Sequence, residues 1–282
     1  MLLNYITWNV RPEIFIIPQD VWLIGGFSVR WYGLLFALGF VFGYIIMQKI
    51  LRNENIPDKV LDELSTYMLI FTVVGARLGH CLFYEPAYYL AHPIEILKVW
   101  EGGLASHGAA VGILIGLWFF ARKIHKPYIW ILDRIVIVVA LAGFLIRMGN
   151  LMNSEIFGDV TTLPWGFIFK RYYVEAYTLD PRHPTQIYEA IGYLATFILL
   201  YRIYWKDKGN MRPGTIFGLF MILIWSVRFV VEFIKIPQVD FENNMFLDMG
   251  QLLSIPLIIA GILIFMWSRK QPVEVVKRKK AA

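Results

Sequence analysis

Seven runs of about 18–23 mostly apolar residues divide this chain, and roughly 20 is what an α-helix needs to cross the hydrocarbon core of a bilayer. They fall at roughly residues 31–50, 65–84, 104–121, 130–152, 186–205, 214–235 and 250–268. The expected fold is therefore an all-α polytopic membrane protein, a bundle of about seven transmembrane helices. It is read as a single integral membrane domain over residues 1–282, with an extracytoplasmic N-terminal segment and loop region. Composition agrees, because 58% hydrophobic and only 17% charged residues is too apolar for a soluble domain of this length.

The net charge of +6 would suit nucleic acid, but its placement points elsewhere. Of the 27 basic residues, 17 sit in the first, third and fifth connections and the tail, 7 at the N-terminus and in the other connections, and three inside apolar runs. The positive-inside rule then sets the N-terminus outside and the C-terminal "KRKK" in the cytoplasm, with the longest connection, about 153–185, extracytoplasmic. The stretch "IFIIPQDVWLIGGFSVRWYG" is too broken by Pro and Gly to span, and its Trp and Tyr suit the outer headgroup level. No basic region and small-residue cleavage site of a signal peptide opens the chain. A single cysteine, Cys81, excludes an internal disulfide and a cysteine metal cluster, and is read as a buried, inert thiol. Glycines four apart (Gly39 and Gly43, Gly75 and Gly79, Gly108, Gly112 and Gly116) are packing stripes where helix backbones approach closely.

The chemistry lies in polar groups set into apolar runs. Arg77, Arg147 and Arg228 each cost about 2.5–3.5 kcal/mol at a helix centre on insertion scales, and such residues face a protein interior or a wet cavity. Arg77 has snorkelling to an interface as its structural alternative. Arg228 has Glu232 four residues on, in reach as a helical ion pair. Arg147 opens "RMGNLMNSEIFGD": Asn150 shares its helical face, Asn153 falls on the next face, and Glu155 swings further round. A guanidinium offers a two-pronged fork to phosphate and the amides add neutral donors, with Glu155 to orient the guanidinium or hold a hydroxyl. His107, near the outer start of the third run, is either hydrogen-bonded across a helix interface or a general base, since imidazole titrates near neutrality. His183, in "PRHPTQIYEA", caps the outer end of the fifth run beside Tyr188 and Glu189 and is read as a loop histidine or a site residue. No HExxH, P-loop or GxSxG motif occurs, and no metal site is expected. On residues alone, this is an intramembrane site for an anionic ligand.

The stretches "RWYGLLFALGF", "GARLGHCLFYEP", "EGGLASHGAAVGI", "RMGNLMNSEIFGDVT", "PRHPTQIYE", "RFVVEF" and "MGQLLSIP" resemble, in order and over almost the whole chain, the prolipoprotein diacylglyceryl transferases of bacterial inner membranes. The family signature R-x-G-N-x-x-N-x-E-x-x-G is matched by Arg147, Gly149, Asn150, Asn153, Glu155 and Gly158. Three positions depart from the family: Ile146 precedes Arg147 where Gly is usual, Ala109 follows Gly108 where a second Gly is common, and Ile224 stands where Tyr often precedes the sixth-span arginine. The resemblance implies transfer of the sn-1,2-diacylglyceryl group of phosphatidylglycerol to the lipobox cysteine thiol of a prolipoprotein, forming a thioether and releasing glycerol 1-phosphate. It implies no metal and no cofactor. The implied partners are phosphatidylglycerol, a prolipoprotein signal peptide and the lipid bilayer, with no nucleic acid.

By the same resemblance His107, Arg147 and Arg228 are catalytic, with His107 as base and the arginines on the phosphate. Asn150, Asn153, Glu155, Gly158, Tyr32, Arg77 and Glu232 line the substrate. A pocket arginine that lowers the thiol pKa electrostatically is the alternative to a histidine base. Two rival functions carry distinct expectations. A transporter of an anionic solute predicts internal repeats, which the two halves lack. A membrane acyltransferase predicts a hydroxylamine-labile product.

Overall fold

The computed structural model describes residues 5–18, 26, 28–99, 102–103, 105–171, 180–236 and 245–276. The basic tail Lys277, Arg278, Lys279 and Lys280 and part of the broken N-terminal stretch, residues 19–25 and 27, lie outside them. The helices are α1 (Trp31–Asn53), α2 (Asp58–Phe83), α3 (Pro86–Ala91), α4 (Ser106–Lys123), α5 (Tyr128–Met152), α6 (Thr185–Lys206), α7 (Thr215–Glu232) and α8 (Met249–Ser268). Each of the seven long ones overlaps one of the seven apolar runs. Five of these, α1, α2, α5, α7 and α8, are long and apolar enough to cross a membrane. The expected seven is therefore met by helices but not, on length and hydropathy, by spans. Helix α4 ends on Arg122 and Lys123, and α6 holds Glu189, Arg202 and Lys206 within its bounds.

Two helix boundaries differ from the apolar runs for physical reasons. Helix α2 starts well before the run because its first turns are amphipathic: Asp58, Asp62 and Glu63 are polar, while Leu61 and Leu64 are buried. Helix α7 stops at Glu232, earlier than the run, because the chain turns there and Lys235 pairs with Gly158 in an antiparallel bridge. Helix α8 opens on a reciprocal cap, in which Asp248 accepts from Gln251 N at 2.8 Å and Gln251 accepts from Asp248 N.

The described residues form two compact units, one within 1–46 and 135–275 and the other within 47–134 and 276. In the first, α7 packs along α8 and α6, and Gly39 and Gly43 of α1 lie against Ala142 and Val138 of α5. Short strands add a feature the helical reading lacks. Strand β1 (Ile6–Trp8) pairs in parallel with β4 (Phe167–Phe169), and β2 (Glu13–Ile16) pairs antiparallel with β3 (Ser28–Arg30). The β1–β4 pair closes a small apolar core of Leu151, Phe157, Phe167 and Phe169, flanked by Trp8, Met148, Ile187 and Ile236. Trp8 Nε1 donates to Leu151 O at 3.0 Å, so this core is tied to the end of α5.

In the second unit α2 and α4 meet through glycine. A Cβ on Gly75 would stand 2.5 Å from Gly108 O and 2.8 Å from Gly112 Cα, so the two backbones touch where any side chain would hold them apart. A buried ion pair, Arg134 Nε to Glu54 Oε1 at 3.0 Å, anchors the other end of this unit.

Candidate active site

The site in the first unit grows from the last turn of α5. Arg147 Nη1 donates to Asn150 Oδ1 at 3.1 Å, as expected for two residues three apart on one face. Asn150 Nδ2 donates on to Glu155 Oε1 at 2.8 Å, and Asn153 Nδ2 donates to the same oxygen at 3.1 Å. Arg147, Asn150, Asn153 and Glu155 thus form one connected polar group, although a continuous helix would fan them round its axis.

The backbone achieves this by breaking the helix sharply. Ser154 and Ile156 adopt left-handed φ values of 55° and 59° on either side of Glu155. A β-branched residue there is a costly conformation, on the order of 1–3 kcal/mol. Two side chains from the start of α6 hold it: Gln186 Nε2 donates to Glu155 O at 2.6 Å and Thr185 Oγ1 donates to Ile156 O at 2.8 Å. Gly158 follows in a crowded slot, where a Cβ would collide with Ile234 O and stand 2.8 Å from His183 Cβ and Thr185 Cγ2. Close approach, rather than an unusual φ, requires glycine here. Its N–H donates to His183 O at 2.9 Å, and the next residue, Asp159, donates its N–H to Ile234 O at 2.9 Å. Burial pushes the Asp159 carboxyl above its ordinary range, against the opposing pull of Arg182 and His183. His183 is thus a loop residue with Nδ1 3.3 Å from Tyr188 Oη, and Trp165 Nε1 donates to the same hydroxyl at 2.9 Å.

Two further elements close on this group. From α6, Glu189 is fully buried and brings Oε2 to 2.8 Å from Arg147 Nε, a close charge contact without the alignment of a hydrogen bond. From α7 and the turn after it come Arg228, Glu232 and Lys235. Lys235 Nζ donates at 3.0 Å to Glu189 Oε1 and at 3.0 Å to Glu232 Oε2. Arg228 Nε is 4.0 Å from Glu232 Oε2, is buried, and has no hydrogen-bond partner. The helical pair expected between Arg228 and Glu232 is thus a loose one, and Glu232 is held instead by Lys235. Tyr32, at the start of α1, packs over Gly149, where a methyl group would come within 2.8 Å of its ring.

Arg77 and His107 belong to the second unit. Arg77 is buried, and all three guanidinium nitrogens donate to backbone carbonyls: Nε to Ile96 O at 3.0 Å, Nη1 to Gly102 O at 2.6 Å, and Nη2 to Glu95 O at 2.5 Å. It also stacks on Tyr89, 5.1 Å from the ring centre. These contacts hold the Glu95, Ile96 and Gly102 carbonyls against α2. His107, the second residue of α4, is exposed. Cys81 is a buried free thiol, as expected. Among the described residues no cluster of His, Cys, Asp or Glu is arranged to hold a metal ion.

Sequence reasoning missed Glu189 and Lys235 as members of the centre. The signal for Glu189 was present, an acidic residue inside an apolar run of α6. Lys235 gave none, because its position reads as an ordinary connection.

The chain matches the model of one protein family, described as prolipoprotein diacylglyceryl transferase, over residues 19–267. A phosphatidylglycerol–prolipoprotein diacylglyceryl transferase from Tolumonas auensis is 48% identical, over 94% of this chain and 98% of the relative. Proteins with the same name from Porphyromonas gingivalis and Chloroherpeton thalassium are 45% and 44% identical, each over 95% of this chain and 96% of the relative.

Proposed function

The chain belongs to the prolipoprotein diacylglyceryl transferase family, and on that premise we propose that the Arg147 centre is the seat of its chemistry. The chain transfers the diacylglyceryl group of phosphatidylglycerol to prolipoprotein, the first step of lipoprotein maturation. In the proposed reaction the acceptor is the lipobox cysteine at the end of the prolipoprotein signal peptide. Its sulfur bonds to the terminal glyceryl carbon while the bond from that carbon to the phosphate oxygen breaks. The electron pair leaves on the phosphate, so the products are a thioether and glycerol 1-phosphate. The thiol proton is removed first, because thiolate is the nucleophile.

The residues divide this work. Arg147 and Arg228 hold the phosphate and stabilise the charge that grows on it as the bond breaks. Asn150 links Arg147 to Glu155, Asn153 adds a second donor to Glu155, and Glu155 is placed to hold a headgroup hydroxyl. Tyr32 lines the site, Gly158 allows the turn after Glu155 to lie flat against the chain beyond α7, and Glu232 belongs to the charge network behind Arg228. His107 takes the thiol proton, and Arg77 lines the substrate. The protein works in the bacterial inner membrane, at the outer leaflet.

One observation carries this reading: a guanidinium only 13% exposed at the end of an apolar helix, tethered by Glu189 on one side and by the Asn150–Glu155 chain on the other. Such a charge in lipid needs a functional reason. The test is purified protein mixed with phosphatidylglycerol and a lipobox peptide, followed by peptide mass. A diacylglyceryl adduct stable to hydroxylamine is expected. A labile acyl adduct would make the protein an acyltransferase, and no adduct alongside solute flux into liposomes would make it a transporter.

A further inference from the structure

Glu189 and Glu232 bring two carboxylates into one buried centre, and an uncompensated buried carboxylate is strongly unfavourable. Arg147 stands against Glu189, but Arg228 does not close on Glu232. The group that serves both carboxylates is Lys235, whose side chain is 3% exposed and whose ammonium donates to Glu189 Oε1 and Glu232 Oε2 at 3.0 Å each. Its backbone is fixed as well, since Lys235 N donates to Glu232 O at 3.1 Å and the residue pairs with Gly158. Glu232 in turn sits over Gly250, where a Cβ would leave its carboxylate no room.

The two cation types are used differently. An ammonium is a compact charge with three donors, suited to bridging two carboxylates, whereas a guanidinium presents a planar fork that matches phosphate. Resting on the reading above, we propose that Lys235 is a positioning residue that shares Glu189 with Arg147 and holds Glu232 off Arg228, and so keeps Arg228 available to the phosphate of the lipid headgroup. Without it, Glu155, Glu189 and Glu232 would face two cations instead of three. Arg228 would then close the 4.0 Å gap onto Glu232, and the centre would repel an anionic headgroup. Weaker lipid binding follows, with less effect on the bond-breaking step itself.

The test is steady-state transfer from phosphatidylglycerol in mixed micelles to a lipobox peptide, using folded protein matched by detergent melting. The variants are Lys235→Met, Lys235→Arg, Glu232→Gln and Lys235→Met with Glu232→Gln. Lys235→Met is expected to raise KM for phosphatidylglycerol about tenfold or more, with a smaller fall in kcat. Lys235→Arg is expected to retain most activity, and the double variant to lie closer to Glu232→Gln alone than to Lys235→Met, because a charge of each sign is gone. If Lys235→Met does not accumulate, the double variant is compared with Glu232→Gln alone, and a difference below threefold is expected. Wild-type-like KM in Lys235→Met, a double variant no better than the single one, or a tenfold difference in the second comparison would overturn the role of Lys235. A wild-type enzyme that forms no diacylglyceryl adduct would instead overturn the functional reading beneath it.

Discussion

Arg147 Nε lies 2.8 Å from Glu189 Oε2, joining the end of α5 to the first turns of α6 at a point where Glu189 is fully buried. The carboxylate also accepts from Lys235, so one side chain meets two cations brought from two other elements. Removing one member of a buried ionic group costs about 3–5 kcal/mol, because the partners stay buried without compensation. Glu189→Gln is therefore expected to lower stability by roughly that amount and to reduce transfer strongly even in the folded fraction. Melting in detergent beside a peptide-mass assay checks both. Unchanged melting would mean that water or lipid compensates Arg147 and Lys235.

Gly158→Ala tests the turn that presents Glu155. The added methyl meets the Ile234 carbonyl, which is backbone and hydrogen-bonded to Asp159 N, and cannot rotate aside as a side chain would. Overpacking of this kind costs about 1–3 kcal/mol. The bridge between Gly158 and Lys235 would open, carrying both Glu155 and Lys235 out of place. A protein that accumulates but has lost most of its transfer activity is expected, and full activity would show that the turn has slack.

Topology follows from the 17-to-7 division of basic residues between alternate connections. A reporter fused after Lys280 should behave as cytoplasmic, and one inserted near Asp180 as extracytoplasmic. The inverted result would put the Arg147 centre at the inner leaflet.

The long helices were legible because each matches a run of apolar residues, and the arginines stood out because charge is rare in such runs. Arg147, Asn150, Asn153 and Glu155 were read as a group from spacing and from resemblance. How they meet was not legible: it depends on left-handed Ser154 and Ile156, residues whose types give no warning of that conformation. The β1–β4 pair was missed because its strands hold three residues each and pair across more than 150 residues of sequence, too short and too distant for periodicity to register. Arg77 and Arg228 show the limit of spacing. Arg77 has no partner nearby in sequence, yet binds carbonyls 18–26 residues on, while Arg228 has an ideal partner at i+4 and lies 4.0 Å from it.

His107→Gln separates a base from a packing residue. Glutamine keeps a hydrogen-bonding side chain but does not accept a proton near neutral pH. If His107 removes the thiol proton, the defect should shrink as pH rises towards the free thiol pKa of about 8.5, where the peptide ionises unaided. Initial rates at matched amounts of folded enzyme measure this. A constant fractional defect from about two units below that pKa to about half a unit above it would remove His107 from proton transfer.

The central claim is that Arg147 grips the lipid phosphate through its planar fork, and Arg147→Lys tests it most directly. Lysine keeps the charge, so the ion pair with Glu189 and membrane insertion persist, but it lacks the paired donors that match a phosphate. The measurement is the rate of diacylglyceryl transfer from phosphatidylglycerol to a lipobox peptide, by mass, for wild type and Arg147→Lys at equal folded concentration. The account predicts a loss of at least about 100-fold, on the scale of one transition-state hydrogen bond, with melting close to wild type. A variant that folds and transfers at the wild-type rate would contradict it and leave Arg147 as the structural partner of Glu189.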